Sequence, residues 1–208
     1  MLKKIVFVDG SNLYHSMRDD NIDPRIIDLA KFFEKISGEK DPTVRYYTAP
    51  RKREEDAEKY VQQQRFFTEL KNRNPNLTII FGRLQKNKEA DPKARSLVVK
   101  ALGFCENCAQ KIPKLFSTLR IDKPHREKGV DVKIALDLAI MAGTNEFDLA
   151  ILLSGDADLA PAVQIAVKNG KKVINGRFKN SSSSELRNIC TSNFLITEEI
   201  LKDCVRKH

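Results

Sequence analysis

Hydrophobic and polar positions alternate along this chain in two rhythms. Short apolar runs rich in β-branched and aromatic residues occur at 5–8, 44–48, 77–81, 149–153 and 172–174. Each is bounded by polar or glycine positions, which predicts strands. Residues 194–196 read as an edge strand. The 149–153 run, Leu149-Ala150-Ile151-Leu152-Leu153, is apolar throughout, so it should be a central strand buried on both faces. Between these runs the apolar period lengthens. Leu29, Phe32, Phe33 and Ile36 recur at helical spacing, which predicts a helix over 23–36 that Gly38 closes. Tyr60, Val61, Phe66, Phe67 and Leu70 predict a long charged helix over 51–72. Val130, Ile134, Leu138 and Met141 share one face of a helix over 130–142. A further helix over 159–168 opens on Asp158 as N-cap, with Pro161 in its first turn. Short helices are predicted near 184–190 and 198–206.

Strands alternating with helices at this spacing imply a three-layer α/β/α domain built on a mostly parallel sheet. The rhythm is interrupted once. From about 83 to 128 the periodicity weakens, prolines appear at 92, 113 and 124, and the segment is basic. It is expected to be an insertion, holding a hairpin or short helix, on a single domain spanning 1–208. Ligands of parallel α/β sheets bind beyond the carboxyl ends of the strands. Chemically capable residues do follow the strands here. Asp9, with Ser11 and Asn12, follows the first. Ser154, Asp156 and Asp158 follow the 149–153 strand, and Asp131 begins the helix before it. Neighbouring strands would bring these carboxylates into one cleft. Asp131 joins them only if its helix starts at the same edge.

Clustered carboxylates repel one another unless a cation neutralises them. Oxygen-only ligation favours Mg²⁺ or Mn²⁺, and phosphodiester hydrolysis is the chemistry such a site supports. No nucleophilic side chain is obvious, and His15, His125 and His208 are scattered. Each aspartate also has a bland role. Asp9 before Gly10 suits a turn, Asp158 suits a helix cap, and Asp131 complements a helix dipole. Two acidic groups at two strand ends weigh against all of them being bland.

The formal charge of +9 across 208 residues suggests an anionic partner, nucleic acid being the commonest. No apolar run is long enough to cross a bilayer, and residues 1–8 read as a first strand, not as a signal peptide. Without a secretory signal, the four cysteines suggest a reducing, cytoplasmic setting.

Three motifs carry a resemblance to a known family. Val6-Phe7-Val8-Asp9-Gly10-Ser11-Asn12-Leu13-Tyr14 resembles the opening of NYN-domain proteins, including the LabA-like group. Lys128-Gly129-Val130-Asp131-Val132-Lys133-Ile134-Ala135-Leu136-Asp137 resembles their second motif. Ser154-Gly155-Asp156-Ala157-Asp158-Leu159-Ala160-Pro161 resembles their third, with Ala157 and Leu159 where Ser and Phe are expected. The resemblance implies a PIN-like fold and a metal-dependent ribonuclease. By motif match, Asp9, Asp131, Asp156 and Asp158 would be its catalytic and metal-site carboxylates, with Asn12 and Ser154 supporting the site or the scissile phosphate. Asp137 lies six residues beyond Asp131, off that helix face, so it either reaches the site differently or fixes local structure. A haloacid-dehalogenase-type phosphatase would need a second Asp two residues after the first, where Ser11 stands.

Basic residues crowd the insertion: Lys86, Lys88, Lys93, Arg95, Lys100, Lys111, Lys114, Arg120, Lys123, Arg126 and Lys128. Arg51, Lys52 and Arg53 follow the second strand at the predicted active edge. These groups would hold the phosphates of single-stranded or structured RNA, and Tyr14, Tyr46, Tyr47 and Phe104 would stack on bases. For any one of them the alternative is a solvated surface or core packing. Cys105 and Cys108 have the spacing of half a zinc site, with His125 nearby and Cys190 and Cys204 remote. Zinc shared with distant or partner-chain ligands, a ribbon remnant and two plain thiols all remain open, as does a homo-oligomer. The first function expected is an endoribonuclease. The second is a non-catalytic RNA-binding or regulatory module on the same fold, and action on DNA or a nucleotide is a third.

Overall fold

A computed structural model describes residues 2–54, 56–86, 125–180 and 183–206. The chain divides into two compact units, one formed by 1–82 with 129–208 and the other by 83–128. In the first, six strands form one parallel sheet: β1 (Lys4–Asp9), β2 (Val44–Thr48), β3 (Leu77–Phe81), β6 (Leu149–Leu153), β7 (Lys172–Arg177) and β8 (Ser192–Leu195). Their order is β3-β2-β1-β6-β7-β8. In the second unit, β4 (Arg83–Lys86) pairs antiparallel with β5 (His125–Lys128), Arg83 opposite Lys128. Among the described residues no helix is long and apolar enough to cross a membrane.

Helices cover both faces of the sheet, giving the three-layer α/β/α arrangement. On one face Val6, Val8, Val44, Tyr46, Ile151 and Leu153 pack with α1 (Gly10–Asp19), α2 (Leu29–Ser37), α3 (Ala57–Arg73) and α7 (Glu198–Lys202). The other face carries Phe7, Tyr47 and Leu152, all essentially inaccessible. Against it lie α4 (Val130–Gly143) and α5 (Ala160–Lys168), with α6 (Ser184–Ile189) beside α5. The expected face of α4 is the buried one: Val130, Ile134, Leu138 and Met141 are all buried.

Local chemistry sets the boundaries. Asp28, Asp56, Ser183 and Thr197 each accept a backbone N–H at a helix start, and Gly38 closes α2 at φ +66°. The Asp28 cap divides the expected 23–36 helix into a short 3₁₀ turn, Pro24–Ile26, and α2. The Asp56 cap starts α3 later than expected, so Arg51, Lys52 and Arg53 lie in a loop. Helix α1 was not expected. Its first residue, Gly10, stands where a Cβ would come within 2.6 Å of the buried Tyr46 ring, so α1 can lie this close to β2 only with glycine there.

Beyond β1 the chain winds outward through β2 to β3. It then returns to the opposite side of β1 with β6 and winds out through β7 to β8. The direction reverses between β1 and β6, and the crevice at such a reversal is where parallel α/β sheets bind ligands.

Candidate active site

Asp9 ends β1 and Ser154 directly follows β6 at this reversal, where the two strands are paired from Lys4 opposite Leu149 to Val8 opposite Leu153. Asp9 is 4% exposed. Its Oδ1 accepts the Asn12 backbone N–H at 3.0 Å, which caps α1. Its Oδ2 accepts the Ser154 hydroxyl at 3.5 Å. The same hydroxyl accepts the Asp156 N–H at 3.2 Å. Asn12 Oδ1 accepts the Gly155 N–H at 2.9 Å and the Ser16 hydroxyl at 3.3 Å. The first and third motifs are therefore joined by hydrogen bonds that hold Asp9 and Asp156 in one region. Ser11, half-buried beside Asp9 in the first turn of α1, stands outside this network.

Asp156 Oδ1 accepts the Asp158 N–H at 2.9 Å and caps a 3₁₀ turn, Ala157–Leu159. This corrects the expectation for Asp158. It does not cap the following helix, which starts at Ala160 with no side-chain cap. Asp158 lies inside the turn and is exposed. Asp131 sits in the first turn of α4. Its carboxyl is held above the ordinary aspartate range, chiefly by desolvation and then by the charges of Asp156 and Asp158. The start of α4 therefore lies at the same sheet edge, the condition on which Asp131 depended.

That perturbation has a stability consequence. The folded form binds the Asp131 proton more tightly than the unfolded chain does, so its ionisation destabilises the fold as pH rises through the folded value. Asp131→Asn should melt at or above the wild-type temperature at neutral pH, with the difference shrinking on acidification. Calorimetry of metal-free protein checks this, and a clearly lower melting temperature for the variant would contradict it.

Asp137 is a structural residue. Its Oδ2 accepts Arg45 Nη2 at 2.6 Å and the Tyr47 hydroxyl at 2.8 Å, while Arg45 Nε donates to that hydroxyl at 3.0 Å. Burial pushes the Tyr47 phenol far above its usual value. The triad ties α4 to β2, and so fixes the helix that carries Asp131. Tyr46 and Tyr47 are buried core residues, which removes them as base-stacking candidates, whereas Tyr14 is 41% exposed. Arg51, Lys52 and Arg53 are exposed beyond the end of β2. Lys128 is exposed at the end of β5 in the second unit. Cys190 and Cys204 are buried free thiols, and burial pushes Cys190 up to about 11. Cys105, Cys108, Phe104 and the basic residues Lys88, Lys93, Arg95, Lys100, Lys111, Lys114, Arg120 and Lys123 lie outside the described residues, as do the side chains of Lys86, His125 and Arg126. One residue of this region escapes the sequence pattern: Asn175 on β7, whose amide donates to the carbonyls of Leu152 and Ser154.

The donor set is all carboxylate, which suits a hard cation such as Mg²⁺ or Mn²⁺. The mutual repulsion felt at Asp131 is what such a cation would relieve. Among the described residues no three His, Cys, Asp or Glu side chains are gathered tightly enough to form a cage for an ion. Mg²⁺ does not require one, because it keeps several waters and takes only one or two carboxylates alongside substrate phosphates.

The parallel sheet flanked by helices, with its acidic edge, is consistent with a three-layer PIN-like fold. The NYN domain model matches residues 3–198, and the chain belongs to that family. Its members are generally nucleases that act on RNA and usually employ divalent metals. A crystal structure of a protein of unknown function from Vibrio parahaemolyticus is similar over 95% of each chain, with a TM-score of 0.60 and 19% identity. That likeness concerns the fold. Comparison with curated proteins finds no significant match.

Proposed function

We propose that this chain is a metal-dependent endoribonuclease that hydrolyses RNA phosphodiester bonds with Mg²⁺ or Mn²⁺. The observation that carries the reading is the meeting of three separate chain segments at one sheet edge. Asp9 is bonded to Ser154, and Asp131 feels the charges of Asp156 and Asp158. A module that only binds phosphates gains nothing from concentrated negative charge, which weighs against the non-catalytic alternative.

In this reading Asp9, Asp131, Asp156 and Asp158 are the metal-site carboxylates. A bound divalent cation would supply electrophilic activation of the scissile phosphate and lower the pKa of an attacking water. The protein's part is positional. Asn12 and Ser154 fix Asp9 and the turn carrying Asp156, and Ser11 would contact the phosphate. Arg51, Lys52, Arg53 and Lys128 hold flanking phosphates, and Tyr14 offers an exposed ring for a base. We place the chain nearest the LabA-like group on its three motifs, as one domain with an insertion at about 83–128, working in the cytoplasm. Zinc at Cys105 and Cys108 and a homo-oligomeric state belong to the same proposal.

Cleavage of labelled single-stranded RNA in Mg²⁺ or Mn²⁺ tests the reading, and no cleavage with any RNA would end it. Binding should also fall steeply with salt. Replacing Arg51, Lys52 and Arg53 together by Ala should reduce the log–log salt slope by roughly 2–3. An unchanged slope would remove these residues from the interface.

A further inference from the structure

We infer that Asn175 is a positioning residue for the acidic turn, acting through Ser154 and Asp156; the inference rests on the nuclease reading. Asn175 lies on β7 opposite Leu152 and is 1% exposed. Its Nδ2 donates to the carbonyl of Leu152 at 3.1 Å and to that of Ser154 at 2.8 Å. The first carbonyl belongs to β6. The second belongs to the residue just past its end. A side chain of β7 thus extends the grip of the sheet two residues along the neighbouring chain, to the point where it turns toward the acidic loop.

The turn is held from the other side as well. Asn12 Oδ1 accepts the N–H of Gly155, the residue after Ser154. Two asparagines, one on α1 and one on β7, therefore clamp consecutive residues of Ser154-Gly155-Asp156. The Ser154 hydroxyl between them touches both Asp9 and the Asp156 N–H. A shift of Ser154 would move both carboxylates relative to each other.

The residue type is the second observation. The Asn175 Oδ1 is buried and has no hydrogen-bond partner among the described residues. An apolar side chain of similar size would remove the unpaired acceptor but would also take the donor from both carbonyls. Neither half of the amide can be exchanged with the other, because two carbonyls need the NH₂ end. The two donors, not the filling of space, therefore set the residue type at this position.

The test uses full-length protein carrying Asn175→Leu, with wild type and Asp156→Asn alongside. Mn²⁺ binding without RNA is followed by electron paramagnetic resonance, and RNA cleavage is resolved into kcat and KM. For Asn175→Leu we expect a wild-type circular dichroism spectrum, Mn²⁺ affinity weakened about 5-fold or more, and kcat reduced about 10-fold with KM nearly unchanged. Wild-type Mn²⁺ affinity and kcat in a folded Asn175→Leu protein would overturn the inference. If Asn175→Leu does not fold, Asn175→Ser, whose hydroxyl can still donate to one carbonyl, decides by the same two readouts. If Asp156→Asn cleaves as well as wild type, the nuclease reading fails. If Asp156→Asn is inactive while Asn175→Leu matches wild type, only the positioning role fails.

Discussion

Asp9→Asn is expected to fold as the wild type does and to cleave RNA more slowly by on the order of 10²–10³-fold. Both halves follow from its bonds. Asp9 Oδ1 accepts the Asn12 N–H as the cap of α1, and Asn serves as well as Asp at that position. An amide oxygen can keep this bond, so stability changes little. The lost quantity is a negative charge at the reversal point, where the proposed mechanism would hold a divalent cation and a phosphate together. Steady-state cleavage and a thermal melt on one preparation check the pair. A wild-type rate would remove Asp9 from the chemistry, and a collapsed melt would make it a structural cap above all.

Phe7→Ala should be the most damaging single change to the fold. Phe7 is fully buried on β1, two residues before Asp9. It stacks on Tyr47 with ring centroids 6.4 Å apart and meets Phe147 edge-on at 5.7 Å. Removing a buried phenyl group costs about 3–5 kcal/mol through lost transfer and the cavity left behind. For a chain of this length that lowers the melting temperature by roughly 6–20 °C. Differential scanning calorimetry measures the shift, and a fall of less than about 2 °C would mean that this face is far more plastic than its packing indicates.

The strands were legible because buried parallel strands need unbroken apolar runs, and β2, β3 and β6 lie at the predicted positions. The end of β7 was not. The apolar run stops at Ile174, yet the strand continues to Arg177, and at Gly176 a Cβ would come within 2.5 Å of the Leu153 side chain, so close packing demands glycine within the strand. Asn175 lies beyond that run, and its role depends on a strand that only folding brings alongside. Helix α1 was hidden by Asp9-Gly10, a turn signal that here is an N-cap followed by a closely packed first residue. Leu13 and Met17, both buried and four apart, were the available sign. Asp158 was assigned the cap one element too late, because a 3₁₀ turn intervenes and Asp156 caps that instead. Asp137 stood between two roles in sequence, and its bonds to β2, about ninety positions away, show the second, fixing local structure. The carboxylates themselves were legible, because each stands at the end of a strand or the start of a helix. Their convergence was conditional on topology.

The most direct test of the central claim is cleavage of end-labelled single-stranded RNA by wild type and Asp156→Asn, each with Mn²⁺, with Mg²⁺ and with excess chelator. The account predicts internal cleavage by the wild type with metal, none with chelator, and none by Asp156→Asn under any condition. Equal cleavage by both proteins, or cleavage that survives the chelator, would contradict it.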